Sequence, residues 1–187
     1  MQILKIAALL LMNLTLCQAG GIPKENNTKV AVSHVKSKVN HPVQTKVLSL
    51  HDYIKKRCGN KCVGESTQWL EVAVKKASKE QGVPEKLIYS VIAIESNFNK
   101  AAKSGSQVGL MQIVLGLHKA KFKGKAVYNV ENNVSVGTQI LKECLDKHDG
   151  AIVKTFHCYN GGGDAKYEQK VLKALTDLRR LRDFKSS

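Results

Sequence analysis

Apolar positions recur at helical spacing through most of the chain after residue 64. Ser66 or Thr67 can cap a helix in which Trp69, Leu70, Val72, Ala73, Val74 and Ala77 follow that spacing, and Gly82 ends the run. Pro84 stands near the first position of the next helix, where its missing N–H costs nothing. That helix, from Glu85 to about Ser96, carries Leu87, Ile88, Val91, Ile92, Ala93 and Ile94, and a helix apolar all round belongs in a core. A Gly/Ser-rich loop follows from Lys100 to Gly109, then an apolar segment from Leu110 to Leu117. Further helices are expected over about Glu131–Leu145, Ala151–Tyr159 and Tyr167–Leu181, with Gly161, Gly162 and Gly163 as a break. No strand alternation and no internal repeat stand out. The predicted fold class is mainly α.

The first 63 residues read differently. Lys5 followed by the apolar run Ile6–Leu16 and a small residue at Ala19 has the form of an export signal, too short for a stable span. Residues 1–19 are therefore expected to be a signal peptide. Cys17 raises a lipoprotein variant, but Leu16 stands where that signal wants a small residue, so lipidation is the less favoured reading. Residues 20–63 are expected to be a basic linker or arm, flexible in its Lys-, Asn- and Ser-rich part, with a short helix near His51–Cys62. The organised domain is placed at 64–183, with a tail at 184–187. No membrane span is predicted.

The formal charge of +15 favours polyanionic partners: nucleic acid, anionic lipid or cell-wall polymer. An export signal and the lack of an aromatic–basic motif argue against nucleic acid. Without the signal the chain keeps Cys58, Cys62, Cys144 and Cys158, which suggest two disulfides with three pairings open. The local pairs Cys58–Cys62 and Cys144–Cys158 are preferred over free thiols. A zinc site is disfavoured because no second pair of matching form follows, and His118, His148 and His157 lack ligand spacing. Cys158 beside His157 suggests a thiol nucleophile and its base, but adjacent helical residues face different ways.

Glu95 is the most informative position. It closes the apolar helix on the face of Ile88 and Ile92. A carboxyl held there loses hydration, its charged form is disfavoured, and it can stay protonated near neutral pH. By composition alone it could equally mark a helix end and point to water. The surrounding order weighs against that: Glu95-Ser96-Asn97-Phe98-Asn99, then Gly109-Leu110-Met111-Gln112-Ile113, then Ala126-Val127-Tyr128-Asn129-Val130-Glu131-Asn132-Asn133 and Val136-Gly137, then Cys158-Tyr159-Asn160-Gly161-Gly162. Over about Ser66–Leu181 this closely resembles the soluble lytic transglycosylase family, marked by an ES, a GLMQ and a YNGG-like segment in that order.

The resemblance implies a lysozyme-like helical domain behind the signal peptide and basic arm, acting as a monomer on peptidoglycan without metal or organic cofactor. Glu95 would be catalytic acid and then base. Ser96 would fix local geometry by hydrogen bonding. Met111 and Gln112 would line the sugar cleft, the first by packing and the second by hydrogen bonds. Tyr159 would sit beside the carboxylate, and Asn160 would hold the loop or touch the sugar. The loop between Phe98 and Gly109 is one residue short of the usual pattern, Leu115 replaces a common proline, and Cys158 replaces a common alanine.

Most glycosidases use two carboxylates. The resemblance implies one, with the substrate's acetamido group assisting departure of the leaving sugar and the muramic 6-hydroxyl closing a 1,6-anhydro ring. Asp164, Glu131 and Glu143 read most simply as surface charges or helix ends. A hydrolytic muramidase on the same fold stays open, as does a non-catalytic wall-binding component of a secretion apparatus. Service to a secretion or conjugation machine is a further expectation for a small exported enzyme of this kind. The location expected is periplasmic or secreted.

Overall fold

The computed structural model describes residues 48–59 and 66–182. The expected signal peptide with Cys17, the greater part of the expected arm, Cys62 and the tail lie outside the described residues.

Seven α-helices dominate the described residues: α1 Leu50–Cys58, α2 Ser66–Gln81, α3 Glu85–Glu95, α4 Leu115–His118, α5 Val130–Lys147, α6 Ile152–Asn160 and α7 Tyr167–Arg179. α3 is the centre. Every residue from Leu87 to Ala93 is buried, as its all-round apolar sequence requires. α7 and α2 pack against it, and α5 packs against α2 and α6. Pro84 sits one place earlier than expected, at the N-cap, where its carbonyl receives Leu87 N at 2.9 Å.

α1 corrects the expected domain boundary. Leu50, Tyr53, Ile54 and Cys58 are all buried in the same core as α3 and α7. Ser49 and Asp52 close a capping box at its start. Arg57 donates to the Ala93 carbonyl at 2.8 Å, and Arg182 N donates to Leu48 O at 3.0 Å. The packed unit thus begins by Leu48 rather than at residue 64, because an apolar stripe at i, i+3 and i+4 was short but sufficient to join the core.

The loop after α3 also holds a small sheet that the sequence pattern did not announce. β1 Lys103–Ser104, β2 Gln107–Val108 and β3 Ile113–Val114 pair antiparallel in the order β1-β2-β3, with Ser104 opposite Gln107 and Val108 opposite Ile113. Strands of two residues are too short to show alternation. Gly105, at φ +56°, makes the tight turn between β1 and β2.

Candidate active site

Glu95 is the last residue of α3 and opens onto a cleft of about 360 Å³. One wall is β3 and α4, with Val114, Leu117 and His118; the other is α5, with Ile140 and Glu143. Tyr159 and Asn160, at the end of α6, complete the lining together with Gln112. Burial raises the Glu95 carboxyl pKa to about 7, against a smaller opposing effect from the Tyr167 hydroxyl, which donates to Oε1 at 2.6 Å. A carboxyl with that pKa is about half protonated at pH 7, so it can give a proton and later take one.

Tyr167 was not foreseen as a site residue. It begins α7, is 4% exposed, and lies 72 positions from Glu95. Burial, with the nearby Glu95 charge, raises its own pKa and keeps it a donor. Nothing in its local sequence distinguishes it from a packing tyrosine. The only cue was its place directly after the glycine break, at the start of a helix returning towards α3.

Tyr159 lines the same cleft as Glu95. Burial raises its pKa well above the usual tyrosine range, and the Glu95 charge adds to this. Its hydroxyl donates to Met111 O at 2.8 Å, so it ties α6 to the Gly109–Gln112 turn. Ser96 is the C-cap of α3 and its Oγ donates back to Ile92 O at 3.2 Å, which bonds locally at the end of the helix that carries Glu95. The two residues that follow, Asn97 and Phe98, both have left-handed φ values, +48° and +64°. Such conformations are costly for non-glycine residues and need support from their surroundings. Phe98 has it: its buried ring packs edge-on to Tyr53 of α1, with centroids 6.1 Å apart.

Met111 does not line the cleft. Its side chain is fully buried and packs on Gly137 of α5, where an added Cβ would stand only 2.6 Å from Met111 Cβ. The turn it occupies rolls its side chain inward, and only its carbonyl reaches Tyr159. Gln112 takes the cleft position at φ +45°. Its Nε2 donates to Gly109 O at 2.9 Å and Ala102 O at 3.2 Å, which leaves Oε1 as the amide atom available to a ligand. Asn160 lines the cleft, and with its amide oriented to match its neighbours Oδ1 accepts from Gly163 N at 3.3 Å and Asp164 N at 2.8 Å. Of the two roles expected for Asn160, holding the loop is the one these bonds describe.

Asn133, which stands in one of the segments that carry the resemblance but was given no role there, is 1% exposed on α5. Its Oδ1 accepts from Met111 N at 2.9 Å, and its Nδ2 donates to Val108 O at 3.1 Å and Val127 O at 3.0 Å. It thereby fixes the turn that presents Gln112. Gly109, at φ +77°, is close enough that a Cβ there would stand 2.6 Å from Asn133 Cγ.

Cys144 and Cys158 form a disulfide with a Cα separation of 5.8 Å, joining α5 to α6. Both line the cleft, and the bond stands next to Tyr159. Cys58 is also disulfide-bonded, while its expected partner Cys62 lies outside the described residues. Among the described residues no group of three His, Cys, Asp or Glu side chains could hold a metal. None of the described helices is long and apolar enough to cross a membrane.

The model of the family described as Transglycosylase SLT domain matches residues 72–176, more than half of the chain. Curated relatives share the same region. The chain is 35% identical over 107 residues to the membrane-bound lytic murein transglycosylase C of Sodalis glossinidius (strain morsitans). It is also 35% identical over 107 residues to the protein of that name from Serratia proteamaculans (strain 568), and 34% to that of Yersinia pestis (strain Pestoides F). Each match covers 48% of this chain and 30% of the relative, so the chain spans about a third of the length of the relatives it matches.

Proposed function

The chain belongs to the transglycosylase SLT family, and on that premise we propose that it cleaves the β-1,4 bond between N-acetylmuramic acid and N-acetylglucosamine in peptidoglycan, leaving 1,6-anhydromuramyl ends. The observation that carries this reading is the state of Glu95: a carboxyl at a cleft floor, raised by burial to about pKa 7 and hydrogen-bonded by Tyr167.

In the reaction, protonated Glu95 gives its proton to the glycosidic oxygen as the bond to C1 of the muramyl residue breaks. The acetamido oxygen of the same sugar closes on C1 and takes up the developing positive charge. Glu95, now ionised, then removes the proton of the C6 hydroxyl. That oxygen attacks C1, expels the acetamido oxygen and completes the anhydro ring, and Glu95 is again protonated. The Tyr167 hydroxyl stabilises the carboxylate between the two transfers. Gln112 Oε1 accepts from a sugar hydroxyl or acetamido N–H.

A mechanism with two carboxylates needs a second free acid about 5–9.5 Å from the first. The other carboxylate lining this cleft, Glu143, is held by Lys121 at 2.5 Å and stands half exposed. That favours a single-acid route over a two-carboxylate one. The envelope is the location that suits such a substrate, and support for a secretion or conjugation machine is the biological role we attach to it.

Mass spectrometry of fragments released from purified sacculi decides between these. Products one water lighter than muramidase fragments, absent with Glu95→Gln, are expected. Hydrated reducing ends would make the protein a hydrolase using the same acid. Binding without release by either protein would leave a wall-binding module.

A further inference from the structure

α2 has two apolar stripes. Leu70, Ala73, Val74 and Ala77 face the core and are buried. Trp69 and Val72, with Lys76 one turn further, are spaced by three and four residues and share a different, outer face. Trp69 is 68% exposed and Val72 57% exposed, and Trp69 is the chain's single tryptophan. Opposite them, just before α5, Tyr128 is 41% exposed. These three residues, with Lys76, Lys100 and Glu131, line an open groove of about 560 Å³, within the range of roughly 300–1,000 Å³ usual for small-ligand sites.

The groove is separate from the cleft. It lies at the first turn of α5, around Val130 and Glu131, whereas the cleft uses Ile140, Glu143 and Cys144, at least nine residues along. At 1.5 Å per residue, that is about 14 Å of helix at the nearest. None of its lining residues takes part in holding Glu95.

We propose that the Trp69–Tyr128 groove is a second carbohydrate-binding site, which takes a glycan strand carrying carboxylates. Aromatic rings present flat apolar faces that match the C–H faces of pyranose rings, while tyrosine also offers a hydroxyl for a sugar hydroxyl. Lys100 and Lys76 are exposed at the groove, and the whole chain carries a formal +15, so an anionic strand is drawn to this surface. Lys76 is bonded to Glu131 at 2.6 Å, which makes Lys100 the cation we assign to a ligand carboxylate. A site beside the cleft but separate from it would hold a strand while the cleft works on it or on a neighbour. The ligand class rests on the proposed function; the groove itself does not.

The single tryptophan reports directly on this groove. The full chain carrying Glu95→Gln is titrated with peptide-free glycan strands, whose lactyl groups bear carboxylates, and separately with neutral chito-oligosaccharide. The strands are expected to quench and blue-shift Trp69 emission saturably. Neutral sugar should bind about 5- to 10-fold more weakly. Tyr128→Ala should abolish the emission change, and Lys100→Ala should raise Kd about 5-fold and reduce its salt dependence. Emission that stays unchanged while sedimentation shows strands bound overturns the proposal. So does a response that survives Tyr128→Ala, or a shift that follows protein concentration without glycan, which would mark a contact between copies. Turnover is not needed for this readout. A chain that fails to cut sacculi yet shows the Trp69 response refutes the activity and keeps the groove; a chain that cuts with Trp69 silent does the reverse.

Discussion

Two glutamates on the described helices titrate in opposite directions, and their surroundings explain why. Glu95 ends α3 against the core and is pushed up to about 7 by burial. Glu131 stands in the first turn of α5 on the surface, and the Lys76 ammonium bonded to it holds its carboxyl below the usual range. Glu95 also has a donor, Tyr167, but a neutral phenol on a buried carboxyl only partly offsets the lost hydration. Burial, more than the presence of a partner, separates an acid that can work at neutral pH from one that only carries charge.

The largest effect should follow removal of the buried acid. Glu95→Gln is expected to slow release from sacculi by about 10²–10⁴-fold. Next is the support beneath the cleft. Asn133→Ala strands Met111 N and the carbonyls of Val108 and Val127 in a buried place. It should cost about 3 kcal/mol in chemical denaturation and lower Tm by roughly 10 °C.

The same contrast sets the pH dependence of stability. Because the folded pKa of Glu95 lies above its usual 4.5, the folded state favours the protonated acid. Its contribution is full below about pH 4.5 and is lost as pH rises through about 7. Glu95→Gln removes this loss, so the variant should be more stable than the parent at pH 9, by up to about 3 kcal/mol, with the difference vanishing near pH 4. Tyr167→Phe deletes the one contact that lowers the Glu95 pKa. The alkaline limb of the pH–rate profile should move upward, with a rate loss of about 10-fold at pH 6 and less at pH 8. Smallest of all is the exposed pair: Lys76→Ala should raise the Glu131 pKa without a measurable change in Tm.

Helices were legible in the chain because their apolar residues repeat every three or four positions, and α3 was legible as the core helix because it is apolar all round. Glu95 was legible through its place on that helix and its neighbours Ser96, Gly109–Gln112 and Tyr159–Gly161. Tyr167 and Asn133 were not, since each acts through contacts with residues 72 and 22–25 positions away that no local pattern encodes. Met111 was misplaced for a related reason. It neighbours the cleft residue Gln112 in sequence, but the positive φ at Gln112 makes a turn that sends the two side chains different ways. α1 was assigned to the arm because the helix is only nine residues long, although Leu50, Tyr53 and Ile54 already had helical spacing.

The direct test of the central claim is the titration of the Glu95 carboxyl itself. Carbon-13 NMR of glutamate side-chain carboxyls, assigned by the missing signal in Glu95→Gln, should show one group with a midpoint near pH 7, moving higher in Tyr167→Phe. A midpoint near 4.5, with the other glutamates, would mean that the fold does not hold this carboxyl as an acid, and the mechanism built on it would fall.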